Sequence, residues 1–301
     1  MKRLVLSLLV LLGIAGPAQA QVSDIAEPAI SVERLWLQPG VGGFVGGQDA
    51  QTLEPGSWSY SVLASLMKRP IVLTDLRSGE VVSAPIGRRL GYELAVARGI
   101  SPRLQLGLAL PMAFQDGERL RGIGLSEEFL APAVLSDLRV HAKLRLQPDA
   151  AAALGYGVAM HLGLPTGNER HFAGERGAVL GWMLVAGYRG QSFRVAGNLG
   201  LRLRTKEVVL LSPASPHGNE LVGTLAGEYI LPSWGRPLGL LAEMAQVYGD
   251  DSGPSPGELR AGLLAHLRSA QIKAILGIGT TPSQVGSPKW RLALVYHSRR
   301  F

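Results

Sequence analysis

Six histidines are the side chains in this chain best suited to chemistry, because an imidazole can transfer protons or bind a metal. Two of them, His171 and His217, fall in loop-like stretches, and four fall on strand-like segments: His141, His161, His266 and His297. One arrangement of a Ser–His pair on a single strand places the serine two residues beyond the histidine, on the same face. After His161, His141 and His266 that position holds Gly163, Lys143 and Arg268. The sequence therefore favours a polar lining over catalysis.

Other motifs do not indicate an enzyme or a cofactor. Gly122-Ile123-Gly124 and Gly277-Ile278-Gly279 lack the third glycine of a dinucleotide-binding loop. Leu164-Pro165-Thr166-Gly167 lies mid-chain and is typical of a strand exit followed by a turn. The chain has no cysteine, and its histidines and carboxylates do not form a close cluster with metal-ligand spacing. We therefore expect neither a catalytic residue nor a bound metal or cofactor.

Charged side chains recur on one face of the strand-like segments. The basic residues on this face are Arg89, Arg139, Lys143, Arg145, Arg194, Arg202, Arg204, Arg260, Arg268, Lys273 and Arg291, and the acidic ones are Glu93, Asp137, Glu228, Glu243 and Glu258. The candidates for lining an interior are Arg139, His141, Lys143, Arg145, His161, Arg194, Arg202, Glu243, Arg260 and His266. If the interior is open, this basic excess favours anions. Alternatively, the charges pair across strands and leave no conducting path.

Apolar residues at every second position predict the elements that carry these side chains. Twelve strands are expected at 58–66, 89–97, 103–112, 134–146, 151–164, 178–188, 191–204, 220–231, 238–248, 257–267, 271–279 and 288–297. Short connections are expected at 99–102, 147–150, 189–190, 232–237 and 269–270, and they alternate with long ones at 67–88, 113–133, 165–177, 205–219, 249–256 and 280–287. An even strand count with alternating short and long connections is typical of a closed transmembrane β-barrel. The predicted fold is all-β, an antiparallel barrel of about twelve strands.

The two faces of the strands indicate which side meets lipid. Leu106 and Leu108 lie on the apolar face of the third strand, while Arg139 and Lys143 lie on the polar face of the fourth. A soluble sandwich would produce the same alternation, with its apolar face in the core. Two observations favour the membrane: the polar faces are rich in glycine and alanine, which leaves room in a lumen, and tryptophan and tyrosine fall near strand ends. We therefore predict that the apolar face points outward.

The first part of the chain precedes this pattern. Residues 1–20 resemble a secretory signal, with Lys2 and Arg3, an apolar stretch, and a cleavage site after Ala20. Residues 21–57 show no clean periodicity and are expected to form a periplasmic segment, a plug inside the barrel being the rarer alternative. Residues 58–301 form the expected outer-membrane barrel, with both chain ends in the periplasm and Phe301 beyond the last strand.

The composition limits the classes of partner that this protein is expected to bind. The net charge of +7 is spread along the strands, without the compact basic and aromatic runs that nucleic-acid binding uses. Export makes a nucleic-acid partner still less fitting. The expected partners are outer-membrane lipid, the barrel-assembly machinery of a Gram-negative envelope, and a small-molecule solute.

Several segments together resemble a known family. They are Arg69-Pro70-Ile71-Val72-Leu73, Ala109-Leu110-Pro111, Ser136-Asp137-Leu138-Arg139, Ala142-Lys143-Leu144-Arg145, Leu164-Pro165-Thr166-Gly167 and Phe172-Ala173-Gly174. Over roughly 58–248 this order resembles the N-terminal barrel of exported OmpA-family proteins, and more remotely the outer-membrane phenol degradation meta-pathway family of transporter-like proteins. The resemblance implies a barrel with a transport or envelope role and no catalytic residues. The OmpA-type peptidoglycan-binding domain is not found in the sequence, so cell-wall anchoring is not implied.

Two functions remain open from the sequence. The first is a porin-like passive channel or transporter for small or hydrophobic solutes, with a narrow and weakly anion-preferring pore. The second is a structural or interaction barrel of the envelope, whose lumen is plugged and whose long loops meet partners.

Overall fold

Twelve antiparallel strands close into a barrel, which confirms the predicted fold. The computed structural model describes residues 30–74, 78, 80–117, 130–206, 208–209, 216–231, 238–249, 255–281 and 286–298. The barrel strands are β1 (Trp58–Thr74), β2 (Val81–Ser101), β3 (Leu104–Asp116), β4 (Arg139–Arg145), β5 (Leu154–Gly163), β6 (Val179–Arg189), β7 (Phe193–Arg204), β8 (Glu220–Ile230), β9 (Leu238–Gly249), β10 (Gly257–His266), β11 (Ala270–Gly279) and β12 (Trp290–Ser298). Each strand pairs with the next, and β1 pairs with β12 to close the ring. The expected signal at residues 1–20, the turn at 232–237 and Phe301 lie outside the described residues.

The apolar face of the wall points outward, as the sequence predicts. Leu106 and Leu144 are 42% and 41% exposed, whereas Arg139 and Lys143 are 3% exposed on the inside. A wall with a greasy exterior and a charged interior suits hydrocarbon outside and a polar lumen inside, and it excludes a soluble sandwich with a central apolar core. Among the described residues, no helix is long and apolar enough to cross a membrane.

Exposed aromatic side chains lie near both ends of the barrel. At the end with the short turns, exposed rings come from Trp58, Tyr60, Tyr156, Tyr188, Phe193, Tyr229 and Tyr296. At the opposite end, Phe114 and Tyr248 are exposed, and Tyr92 contacts Phe114 edge to face at 6.3 Å between ring centroids. Amphipathic rings at these two levels are typical of the boundary between lipid headgroups and hydrocarbon.

The first connection is much shorter than the sequence suggested. The region 67–88 was expected to be a long loop, but β1 continues to Thr74 and β2 begins at Val81. The register between them shifts between Lys68 and Ile71, where Arg69 has a φ of 47° and precedes Pro70. A bulge of this kind interrupts the alternation of inward and outward side chains. The apolar pattern in the sequence therefore stops at the bulge, although the two strands stay paired beyond it.

The predicted fourth strand, 134–146, is broken in two. Ala133–Leu135 pairs with the end of β3, and β4 begins only at Arg139, one residue out of register. Pro111 lies opposite the break and has no N–H to donate to the ladder. The side chain of Asp137 instead accepts the backbone N–H groups of Gly167 and Glu175, both at 2.8 Å, which ties the loop between β5 and β6 to the wall. Burial raises the pKa of Asp137 to about 6, and the two N–H donors oppose that rise.

Candidate functional site in the barrel lumen

The barrel interior is filled by the chain's own residues 30–57, here called the lumen segment. Its side chains Ile30, Val32, Leu35, Leu37, Phe44 and Val45 are all buried. Leu35, Leu37, Phe44 and Val45 pack in one cluster with inward-facing residues of the wall, including Leu63, Leu241, Leu264 and Val295. The structure therefore corrects the expectation of a periplasmic segment: the rarer alternative, a plug, describes residues 30–57.

The lumen segment runs through the barrel from one end to the other. Near its start, the backbone N–H of Val32 donates to the carbonyl of Phe172, in the long connection between β5 and β6. At the other end, the N–H of Gly56 donates to the carbonyl of Gly99, beside the short turn that joins β2 to β3. Residue 30 therefore lies at the long-connection end and Ser298 at the short-turn end. The chain ends themselves lie outside the described residues, so their placement on one side stays a prediction.

A turn at the middle of the lumen segment is held by one carboxylate of the wall. Glu243 on β9 accepts the backbone N–H groups of Val45, Gly46 and Gly47 at 3.0–3.2 Å, and it also pairs with Arg260. A side chain on residue 46 would approach Leu35 and Glu243 to within 3.3 Å, so glycine allows this close approach. The three N–H donors and the guanidinium of Arg260 surround the buried carboxylate of Glu243. They form an anion-binding site whose anion is this side chain of the protein.

Cations of the wall bind the carbonyl oxygens that precede that turn. The Nζ of Lys273 donates to the carbonyls of Gly43 and Phe44 at 2.7 and 2.6 Å, and the Nζ of Lys143 donates to the carbonyl of Val41 at 2.8 Å. Arg194 donates to the carbonyl of Gly43 at 3.1 Å and stacks on the ring of Phe44. Charged side chains of the wall therefore hold the lumen segment through hydrogen bonds to its individual backbone groups.

Replacing Glu243 by glutamine should loosen the docked turn. The glutamine side chain presents only one neutral acceptor oxygen to the three N–H groups, and its NH₂ group cannot accept from them. A hydrogen bond to a charged acceptor contributes about 1.5–3 kcal/mol, and the substitution removes that contribution. We expect the amide hydrogens of Val45, Gly46 and Gly47 to exchange about 10- to 100-fold faster in E243Q than in the wild type.

An exposed ion pair supplies the control for that measurement. Asp116 pairs with Arg88 on the outer rim, where both side chains are more than half exposed. D116N removes the same charge and should leave exchange at residues 45–47 unchanged. Unchanged exchange in E243Q as well would show that Glu243 does not hold the turn.

The charges of the wall are paired with one another. Arg139 pairs with Glu93, Arg194 with Glu228, Arg260 with Glu243 and Glu258, Lys273 with Glu228, Arg202 and Arg204 with Glu220, and Arg291 with Glu258. The lumen segment adds Glu33 to Arg291 at 3.1 Å and Arg34 to Glu220 at 2.7 Å. The structure therefore combines both interpretations of the sequence: the cations face inward, and in this conformation they are partnered.

The ten sequence candidates surround the lumen segment without forming one compact site. Eight are buried inside the barrel: Arg139, His141, Lys143, Arg145, His161, Arg202, Glu243 and Arg260. The side chain of Arg194 is 15% exposed, and His266 is partly exposed near the short turns. Their part in passing a solute remains a proposal. The sequence reasoning missed the contributions of Glu33, Arg34, Trp36 and Asp49, whose only signal was a stretch of apolar residues before a glycine-rich turn.

Little space is left inside the barrel. Four cavities that border the lumen segment have volumes of about 10–40 Å³, enough for no more than a few waters. A larger cavity of about 560 Å³ lies at the short-turn end, between Gly40–Gly43 and the wall residues Arg194, His266 and His297. As far as the described residues define it, the lumen is filled in its middle, and the vestibule at the short-turn end is its largest open space.

A serine and a histidine do meet, but across strands. The hydroxyl of Ser61 on β1 lies 2.8 Å from Nδ1 of His297 on β12, its direct cross-strand partner. A search along one strand could not find this pair. Ser61 is buried, and the described contacts give His297 no carboxylate partner of the kind that orients a catalytic histidine. Among the described residues, no group of three or more His, Asp or Glu side chains is placed to hold a metal ion.

Comparisons with known proteins agree with the barrel. No family model matches the sequence. No curated protein matches it significantly. The crystal structure of an outer membrane channel from Pseudomonas putida F1 superposes with a TM-score of 0.62 at 17% sequence identity, covering 84% of this chain and 98% of that one. The chain has the fold of an outer-membrane channel.

A second solved structure has the same architecture at lower similarity. The NanC porin matches with a TM-score of 0.50 at 7% identity, over 80% of this chain and 99% of that one. These similarities show the fold of an outer-membrane β-barrel. The finer resemblance to OmpA-family barrels stays a prediction.

Proposed function

We propose that this protein is a passive outer-membrane channel for small, preferentially anionic solutes, and that the lumen segment closes it. The observation that carries the proposal is a charged inner wall occupied by a non-covalently docked piece of the same chain. A barrel with a purely structural role could fill its interior with side chains of its own wall, as small barrels do. Here glycine and alanine positions on the inner wall make room instead: Gly155 faces Ala50 at 3.5 Å between Cβ positions.

The charge of the inner wall supports the anionic preference. Among the described strand residues, eleven cations face inward against five carboxylates, the eleventh being Arg189 at the end of β6, which pairs with Asp49. The other cations are Arg89, Arg139, Lys143, Arg145, Arg194, Arg202, Arg204, Arg260, Lys273 and Arg291, and the carboxylates are Glu93, Glu220, Glu228, Glu243 and Glu258. The lumen segment carries Glu33, Asp49 and Glu54 against Arg34. Its departure would remove net negative charge and free cations now bonded to its carbonyls, so an opened lumen would favour anions.

The lengths of the connections support one orientation of the barrel in the membrane. With the short turns in the periplasm, as in other bacterial barrels, Ser298 lies at the periplasmic end and residue 30 at the cell surface. The vestibule then faces the periplasm. A solute from outside would first meet the long connections and the start of the lumen segment. Barrel-assembly machinery and outer-membrane lipid are the partners this placement needs.

The filled lumen also favours a second function, a structural or interaction barrel that never opens. In that case, the lumen segment is a permanent part of the core, and the paired charges contribute only to stability. Solute passage discriminates between the two functions.

Planar-bilayer recording of the full chain tests the proposal. We expect discrete openings, and in a KCl gradient a reversal potential shifted toward that of chloride. Openings with cation preference would contradict the anionic part of the proposal. Silence of the folded barrel at all voltages would favour the structural barrel.

A further inference from the structure

Two cations of the wall lie over the ring of Trp36 in the lumen segment. The guanidinium of Arg202 lies 4.0 Å from the centroid of its ring, and that of Arg139 lies 4.7 Å away. His161 meets the same ring edge-on at 4.5 Å between centroids. The three wall residues come from β7, β4 and β5, so a flat ring is recognised from several directions in the half of the lumen nearest the long connections.

The wall recognises the faces of this ring and makes no hydrogen bond to it. The Nε1 of Trp36 donates to the carbonyl of Glu33, within the lumen segment itself, at 3.1 Å. Several polar atoms of these wall residues, and of His141 beside His161, find no hydrogen-bond partner among the described residues. They are Nε and Nη1 of Arg139, Nε of Arg202, Nε2 of His161 and Nε2 of His141. All four side chains are more than nine-tenths buried. Unsatisfied guanidinium donors in such a setting are costly, and an anionic group placed there would satisfy them.

We propose that Arg139, Arg202 and His161 form a binding site for planar aromatic carboxylates, which Trp36 occupies while the lumen segment is docked. A benzoate-like molecule would present its ring to the two guanidinium faces and its carboxylate to the unused donors. An aliphatic acid offers the charge without the flat π face, and an uncharged arene offers the face without the charge. The site lies between two small cavities, of about 40 and 20 Å³, that both border Trp36, so removing the indole would join them.

The inference rests on the proposed function for how a solute reaches the site, because the lumen segment must move first. Binding can be tested without transport, since a cavity made by truncating a buried side chain can bind a small arene in a folded protein. The test protein is the full chain with Trp36→Ala. Trp182→Ala is the matched control, because Trp182 lies partly exposed on the outward face of β6.

Calorimetric titration with benzoate, cyclohexanecarboxylate and benzyl alcohol provides the readout. We expect W36A to bind benzoate about tenfold more tightly than cyclohexanecarboxylate, an increment within the range of cation–π contacts. Wild-type protein and W182A should bind benzoate at least about tenfold more weakly than W36A, because Trp36 fills the site. Adding Arg202→Gln to W36A should weaken benzoate about tenfold and narrow its advantage over cyclohexanecarboxylate.

Equal affinity of W36A for benzoate and cyclohexanecarboxylate would overturn the aromatic part of the inference. Binding as tight in W182A, or none in a W36A barrel that keeps its heat-modifiable mobility on SDS gels, would overturn the site itself. A conducting channel that fails these binding tests would sink this inference and leave the proposed function standing. A barrel that shows no conductance but binds benzoate as predicted would support this inference and contradict the proposed function.

Discussion

Deleting residues 30–53 should turn a closed barrel into a persistently open one. Residues 54–57 are kept, because they lead into β1 and bond to Gly99 beside the short turn. The twelve strands pair with one another without the lumen segment, so the wall should survive its loss. An open state that is a minor conformer of the intact protein is commonly populated at about 0.1–10%, so time-averaged conductance should rise by about tenfold or more.

The deletion should also reveal the charge of the inner wall. Lys273, Lys143 and Arg194 lose the carbonyl oxygens that now accept from them, and Glu243 loses its three N–H donors. Water replaces these partners in an opened lumen, and the excess of wall cations remains. We expect the reversal potential in a KCl gradient to lie closer to that of chloride than in the full chain.

A peptide provides the control for the deletion. Residues 30–53 added as a synthetic peptide should reduce the conductance of the deleted barrel, and a scrambled peptide of the same composition should not. Unchanged conductance after deletion, in protein that still shows heat-modifiable migration, would mean that the lumen segment does not close a path.

The wall was predictable because its signal is local. In β3, successive residues face opposite sides, so Leu106 and Leu108 identify the lipid face without knowledge of any partner strand. The two errors in strand bounds have local causes too: the bulge at Arg69 hides the end of β1, and Pro111 interrupts the ladder opposite Asp137. A proline is visible in the sequence at each place, Pro70 and Pro111. Its effect on pairing depends on the neighbouring strand.

The filling of the lumen was not predictable by the same reasoning. Glu243 and Lys273 recognise backbone N–H and carbonyl groups, which every residue carries, so the docked segment needs no periodic side chains. Ion pairing across the wall depends on register: Glu243 lies directly opposite Arg260, and Glu228 opposite Arg194. Parity places these residues inside but does not say which of them meet.

Locking the lumen segment to the wall should abolish opening reversibly. Ala50 and Gly155 have Cβ positions 3.5 Å apart, within the range that a disulfide spans, and nothing else lies within 4 Å of the Cβ added at Gly155. The chain has no cysteine of its own, so Ala50→Cys with Gly155→Cys creates a single pair. Gly47→Cys with Ala226→Cys, at 3.4 Å, repeats the test at the turn held by Glu243.

A disulfide within the wall controls for the chemistry of the bond. Gly163 and Val179 on the paired strands β5 and β6 have Cβ positions 3.6 Å apart, so Gly163→Cys with Val179→Cys should form a disulfide that leaves the lumen segment free. Oxidation of this pair should not alter channel opening. Any loss of conductance here would point to damage to the barrel.

Bilayer recording of the Ala50–Gly155 disulfide before and after reduction tests most directly whether the lumen segment is the gate. We predict that the open probability of the oxidised channel falls at least about tenfold below that of the wild type and returns when reductant is added. An oxidised channel that opens as often, and to the same conductance, as the reduced one would show that solute passes without movement of residues 30–57.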